Sequence, residues 1–373
     1  MPLQVVTLPR AWLPLIAGIA VFALLPSVQG AAQQAQTGQL HFLQVRGNIY
    51  VLQGAGANIT VSIGRDGVLL VDSGLQSMGE QVLAAIRHLQ SELDLRDTPI
   101  GFGAETRSSV AERNITRPVK PIRYIINTNV HPDHVGANER LRRSGMTFTG
   151  GNVTGNISDA TEGAAIMAHE AVLQRMTSNT GGTAPAPVDA QPTDTYYTDT
   201  MKLSHFFNGE GVQLIHQPAA HTDGDTLVWF RGSDVIAAGD IFSTTSYPVV
   251  DVKQGGTING VVQGLNRILR LSIAEFRTEG GTLVVPGHGR LSDSADVAYY
   301  RDMVTILRDR VQAMVAKGMT LEQVKAAKPT ADYDPRYGAT GGPWTTDQFV
   351  EAAYLSLGGG KVAPARTAPG RSK

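Results

Sequence analysis

An apolar run that stops at two imidazoles and a carboxylate constrains this chain more than any other stretch. Ile122 to Ile126 is largely apolar and follows Pro121, as a buried strand does. It runs into Asn127-Thr128-Asn129-Val130-His131-Pro132-Asp133-His134, then Val135-Gly136-Ala137-Asn138. Side chains at a strand end are held by rigid backbone yet open to a cleft. Zn²⁺ takes nitrogen and carboxylate oxygen at about 2.0–2.2 Å. His131, Asp133 and His134 offer both donor types, at a spacing that lets the side chains diverge toward two ions. A polar loop after a strand accounts for one such histidine, but the pattern recurs. Ala220-His221-Thr222-Asp223-Gly224-Asp225 follows the mostly apolar Val212 to Ile215. Pro286-Gly287-His288-Gly289 follows Leu283 to Val285, and Gly239-Asp240 ends the run Val235 to Ala238.

The order NxHxDH, AHTDGD, GD, PGHG resembles the metallo-β-lactamase superfamily, whose usual first motif is HxHxDH. The resemblance covers roughly residues 40 to 295. It is specific through the four motifs together rather than through any one.

Composition sets looser bounds. The chain has 373 residues, 42% hydrophobic and 17% charged, enough for one large domain with appendages. A formal net charge of -1 gives no global attraction to nucleic acid or to an anionic membrane. No cysteine is present, which removes disulfides, thiolate metal sites and cysteine nucleophiles. Arg10, the uncharged Ala11 to Leu25, and the small residues around Ser27 to Ala32 form the pattern of a secretory signal peptide over residues 1–32. An uncleaved anchor is the alternative reading, although the apolar run is short for a span. The expected location is periplasmic or secreted, without membrane contact after signal cleavage.

Along the chain, His41 to Val45, Ile49 to Leu52, Ala57 to Gly64 and Val68 to Val71 are strand-like, the last running into Asp72. Met78 to Leu89 has apolar residues at helical spacing. Residues 91–120 form a long polar insertion. Helices are expected over Glu139 to Arg143, Thr161 to Met176, Ile258 to Leu271, Tyr299 to Lys317, Leu321 to Ala327 and Asp347 to Leu357. Short strands are expected at Met146 to Thr149 and Met201 to Phe207. The domain boundaries expected are a signal peptide at 1–32, a metallo-β-lactamase-like domain at 40–310, a helical extension at 311–357 and a disordered tail at 358–373. The pattern itself supports mixed α/β. The resemblance implies the finer architecture, a four-layer αββα sandwich.

The resemblance also implies site roles. His131 and His221, with Asn129, correspond to ligands of a first metal. Asp133, His134 and His288 correspond to ligands of a second. Asp240 corresponds to the carboxylate that bridges the two in many superfamily hydrolases, and Asp72 to a group beside the site. Two Zn²⁺ ions with a bridging hydroxide then attack a small-molecule carbonyl, with Asp133 orienting the nucleophile. Asn129 departs from the usual histidine, and a neutral amide is a weak zinc ligand. One tightly and one weakly bound zinc ion are expected. An Asn here also occurs in the mono-zinc β-lactamase subclass, which carries cysteine where this chain has Asp240. His41, His88, His169 and His205 have no neighbouring donors in sequence, and His216, although close to His221, is followed by a Gln-Pro turn; all five are expected outside the site.

The function expected is an exported zinc-dependent hydrolase that opens an amide or ester carbonyl in the manner of a β-lactamase. Export and the motif string favour that substrate class. Asp240 favours a lactonase or a glyoxalase II-like thioesterase instead. An iron-dependent oxidoreductase is a further alternative, because this ligand set also accommodates iron. A non-catalytic exported binding protein is the least economical reading.

Overall fold

The computed structural model describes residues 39–96, 120–147, 163–178, 185–272 and 280–359. The signal-peptide segment, the tail from residue 360 and most of the 91–120 insertion lie outside the described residues.

Two sheets form the centre. The first runs in sequence order: β1 (His41–Arg46), β2 (Ile49–Ala55), β3 (Ala57–Gly64), β4 (Gly67–Val71), β5 (Ile122–Ile126), β6 (Ala165–His169) and β7 (Asp194–Tyr196). Pairing is antiparallel from β1 to β4 and parallel from β4 to β7. The second sheet contains β8 (Thr200–Lys202), β9 (Val212–Gln217), β10 (Asp225–Phe230), β11 (Val235–Ala237), β12 (Leu283–Val285) and β13 (Ser292–Asp293). They lie in the order β13-β12-β11-β10-β9-β8, and within it β11 and β12 run parallel.

The two-residue side-chain period of a strand sorts these residues into separate cores. Ile49, Val51, Leu69, Val71 and Ile126 of the first sheet meet Leu214, Val228, Phe230, Ala237 and Val285 of the second. Their neighbours Tyr50, Leu52, Val68, Leu70 and Ile125 point the other way. There they pack on Val82, Leu83, Ile86 and Leu89 of α1 (Gly79–Arg96) and on Leu141 of α3 (Asn138–Arg143), which follows the short helix α2 (Pro132–Val135). On the outer face of the second sheet, Leu227, Ile236 and Val284 pack on α5 (Ile258–Leu271), α6 (Ser294–Ala316) and α9 (Thr346–Ser356). Helix, sheet, sheet, helix is the resulting order, a four-layer αββα sandwich.

The C-terminal helices share this outer core. Val311 of α6, Val324 of α7 (Leu321–Ala326), Tyr337 of α8 (Asp334–Tyr337) and Phe349 of α9 are buried with Ile258 and Leu265 of α5. The expected division at residue 310 falls inside α6.

Three local expectations are corrected. Thr161 to Met176 is not one helix: Ala165–His169 is the buried strand β6, and only Glu170–Thr177 is helical, as α4. The Ala- and Met-rich composition favours a helix, but a slot between two parallel strands overrides that weak preference. Met201 to Phe207 is strand only at Thr200–Lys202, with an isolated bridge at Phe207. Met146 pairs with Gly163 through a single bridge.

Candidate metal centre

The functional side chains gather at one edge of the sandwich. Asp72 follows β4, residues 127–134 follow β5, Asp240 follows β11 and His288 follows β12. These strands form the parallel pairs β4–β5 and β11–β12, one in each sheet. Their carboxyl ends open together, as ligand crevices of parallel strands do. His221 joins from the loop before β10.

Local chemistry sets each direction. Pro132 opens α2 at a position where its missing N–H is not needed, with His131 extended just before it. One helical step of about 100° then separates Asp133 from His134, so the two diverge. Asp72 has φ 68, a left-handed conformation that Asp tolerates better than most residues. Two hydrogen bonds from Thr128 hold it there: the backbone N–H donates to Oδ1 at 2.8 Å and the hydroxyl to Oδ2 at 2.7 Å.

Two triads result. His131, His221 and Asp240 form the first, and Asp133, His134 and His288 the second. Within each, the candidate ligand atoms lie within 4.8 Å of one another. Asp240 spans both. Its Oδ2 is 3.0 Å from Nε2 of His134 and 3.7 Å from Nε2 of His221, and its Oδ1 is 3.3 Å from Nε2 of His288. Nε2 of His288 is also 3.2 Å from Oδ2 of Asp133.

This geometry fits a cation. Nε2 of His134, Nε2 of His221 and Oδ1 of Asp240 are buried and crowd together without a well-aligned hydrogen bond between them. Such orphaned buried groups are rare, and these three converge. Ligands about 2.05 Å from a tetrahedral ion stand roughly 3.3 Å apart, close to the spacings around Asp240 and His288. No thiolate is present, so the donor set is imidazole and carboxylate, which suits zinc and also iron.

Three histidines are backed by carboxylates. Asp72 Oδ2 accepts from Nδ1 of His134 at 2.7 Å, and Asp225 Oδ1 lies 3.2 Å from Nδ1 of His221. Asp251 Oδ2 lies 3.2 Å from Nε2 of His131. Each pairing fixes the ring and leaves its other nitrogen for the centre. Thr128, Asp225 and Asp251 were not anticipated from sequence. Asp225 stands four residues after His221 within the AHTDGD segment, which is a usable signal. Asp251 is 120 residues from His131 and carries none.

Asn129 lies beside the first triad and is tied to its own loop. It is buried, but its Oδ1 accepts the backbone N–H of His131 at 2.8 Å. Its Nδ2 lies 3.4 Å from the Thr128 hydroxyl and 3.5 Å from Oδ2 of Asp240. The amide oxygen, the atom able to bind a metal, already accepts one bond from the loop backbone and keeps a single lone pair for an ion.

Charge at the centre is strongly perturbed. Burial alone raises a carboxyl pKa and lowers an imidazole pKa, but the opposite charges outweigh it at each group. Against burial, His134 and His288 hold Asp240 well below the usual carboxylate range. The Asp240 and Asp72 carboxylates hold His134 well above the usual imidazole range. His221 is raised chiefly by Asp225, and His288 by Asp240 and Asp133. Asp133 is lowered by His288 and His134. Against its own burial, Asp251 is held down to about 2 by hydrogen bonds from His131 and Gln254.

Two histidines expected to be ordinary form a pair. His169 and His216 stack face to face at 3.6 Å, and burial together with the neighbouring ring lowers His169 to about 4. His216 Nε2 donates to the backbone oxygen of Asp223 at 2.9 Å, so the pair props the loop that carries His221. Tyr196 is buried against Thr226, while Tyr197 is exposed.

A family model described as the metallo-beta-lactamase superfamily matches residues 47–288. Among solved structures, a double mutant of the sec-alkyl sulfatase PisA1 is similar at a TM-score of 0.59 and 15% identity, over 86% of this chain and 50% of that one. The stereoselective inverting sec-alkylsulfatase Pisa1 from Pseudomonas sp. is similar at 0.53 and 14%, over 85% and 50%. A metallo-beta-lactamase from Pontibacter korlensis is similar at 0.43 and 13%, over 72% and 99%. The chain thus spans about half the length of the sulfatase it matches. No match to a curated protein sequence was found.

Proposed function

The chain belongs to the metallo-beta-lactamase superfamily, and from that premise we propose that it is an exported, zinc-dependent hydrolase that opens an amide or ester carbonyl of a small molecule. The observation that carries the reading is the convergence of two donor triads on one buried carboxylate, Asp240. Members of this superfamily are typically metal-dependent hydrolases, and their donors are of the kind gathered here.

In this reading His131, His221 and Asp240 hold one ion, and Asp133, His134 and His288 hold the other. Bound zinc supplies an acidified water and a polarised carbonyl. The chain's own residues do the rest. Asp72 and Asp225 keep His134 and His221 in the tautomer that offers Nε2 to the centre. Asp133, partly open to the cleft and facing His288 through Oδ2, orients the attacking water. The hydrogen bond from the His131 N–H to Asn129 fixes the turn into α2. With a neutral amide, already hydrogen-bonded once, where a third imidazole would stand, the first position has two imidazoles and a shared carboxylate, and it binds its ion more weakly than the second.

Export rests on the signal-like pattern in residues 1–32. Among the described residues no helix is long and apolar enough to cross a membrane. The test is turnover by the purified mature protein, with metal content measured before and after zinc addition. The panel comprises a chromogenic cephalosporin, a lactone, a thioester and a sec-alkyl sulfate. Zinc-dependent opening of the cephalosporin supports the reading as stated. Turnover confined to the lactone or thioester moves the substrate class to the alternative that Asp240 favours. Iron as the bound metal, or no turnover of any substrate with zinc present, refutes it.

A further inference from the structure

Asp251 touches both histidines of the first triad, one at its ring and the other at its backbone. Its Oδ2 lies 3.2 Å from Nε2 of His131, and its backbone N–H donates to the carbonyl oxygen of His221 at 2.9 Å. The carboxylate is itself fixed. The backbone N–H of Gln254 donates to Oδ1 at 3.1 Å, and the Gln254 side chain donates to Oδ2 at 3.1 Å. The turn is pressed against the His221 backbone: a Cβ on Gly256 would stand 2.0 Å from the His221 carbonyl oxygen.

The same loop is anchored upstream on the C-terminal helices. The Tyr247 hydroxyl donates to Oδ1 of Asp334 at 2.8 Å, and its ring stacks on Phe349 at 4.7 Å. The Tyr300 hydroxyl donates to the backbone oxygen of Ser246 at 2.9 Å. His134 of the second triad takes its orientation instead from Asp72, at the end of β4 on the other sheet.

We propose that Asp251 is a positioning residue for the first metal position alone, setting the His131 ring through its carboxylate and the His221 loop through its backbone. The proposal rests on the reading of the triads as metal ligands. An imidazole that gives Nε2–H to a carboxylate offers Nδ1 elsewhere and is the more basic for it. With Asn129 in place of a third imidazole, the first position has only two, so the orientation of His131 decides much of its affinity. The C-terminal helices act on the metal centre through this loop.

The test is Co²⁺ titration of metal-free wild type, Asp251→Ala and Asp251→Asn, followed by visible absorption, with thermal melting as a check on folding. Wild type fills in a tight and a weak step. In Asp251→Ala the tight step stays within about twofold, while the weak step loses about 10–100-fold in affinity, the usual effect of removing such a partner. Asp251→Asn, whose amide oxygen still accepts from Nε2–H, recovers most of that loss. Should Asp251→Ala not fold, Gln254→Ala frees the same carboxylate and weakens the weak step selectively. A weak step unchanged in these variants, or both steps weakened equally, overturns the proposal while leaving the metal reading in place. Wild type that binds no Co²⁺ overturns both, and is seen before any substitution is made.

Discussion

Replacing Gly287 with alanine probes how closely backbone and carboxylate are fitted at the centre. A Cβ at this position would lie 2.2 Å from Oδ1 of Asp240, 2.8 Å from the carbonyl carbon of Gly239 and 2.9 Å from its oxygen. Real Cβ contacts essentially never fall below 3.0 Å, so the carboxylate must retreat by roughly 0.8 Å, close to the 1 Å displacement that costs an active site about 100-fold. Rotating Asp240 alone does not relieve the clash, because the Gly239 backbone is also in the way. The Gly287 N–H donates to the Gly239 oxygen at 2.8 Å, which locks the two strand ends together. Overpacking of this kind destabilises by about 1–3 kcal/mol. The metal-free variant should lose that much in chemical denaturation, and both metal-binding steps should weaken by about 10–100-fold, since Asp240 faces both triads. Gly341→Ala is the control, at a site with nothing within 4 Å and no left-handed φ, and it should fall within about 0.5 kcal/mol of wild type. A Gly287→Ala protein that binds metal and unfolds like wild type would refute the close packing argued here.

Four further outcomes are expected. The raised pKa values of His134, His221 and His288 mean that these groups bind protons in the metal-free fold above their ordinary value of 6.5; metal uptake at pH 7 should therefore release protons, seen by calorimetry in buffers of different ionisation enthalpy, and zero release contradicts the assignment. By linkage, their stabilisation is full below 6.5 and lost as pH rises through the folded values, whereas that of Asp133 and Asp240 is present above the ordinary 3.8 and lost as pH falls through theirs. The metal-free protein should thus melt lower at pH 9 than at pH 6, and metal should flatten that dependence; an unchanged slope on loading counts against the site. Asp72→Ala strands a buried imidazole and the Thr128 N–H, so it should cost about 3–5 kcal/mol in denaturant unfolding; a loss under about 1 kcal/mol would show that the pair does not hold the loop. Phe349→Ala should cost about 3–5 kcal/mol, because the ring is fully buried on Tyr247; a neutral result would make the C-terminal helices a detachable appendage.

Much of the centre was legible in sequence because each donor stands directly after an apolar strand. Strand geometry sends those ends to one edge, so His131, Asp133, His134, Asp240 and His288 stand out in one dimension, while their sorting into two ligand sets is what the family resemblance implies. Contacts set by tertiary packing carried no such mark. Asp251 meets His131 only because the loop after β11 folds back under the C-terminal helices. The Asn129 side chain accepts the His131 N–H two residues on, an Asx-turn that asparagine favours but does not require. The strand β6 was hidden for a related reason: Ala165, Met167 and Ala168 prefer helix weakly, and only the slot between β5 and β7 decides. The His169–His216 stack joins strands of different sheets, and nothing around either residue in sequence announces it.

Metal titration of the metal-free mature protein, with elemental analysis of the loaded form, tests the central claim most directly. Two triads that share Asp240, with a neutral amide at Asn129 beside the first, predict two zinc ions bound in distinct steps at least about tenfold apart, the separation that one weakened ligand set implies. In Asn129→His the weaker step should tighten toward the stronger. Two equally tight zinc ions in the wild type, or none, would contradict the account.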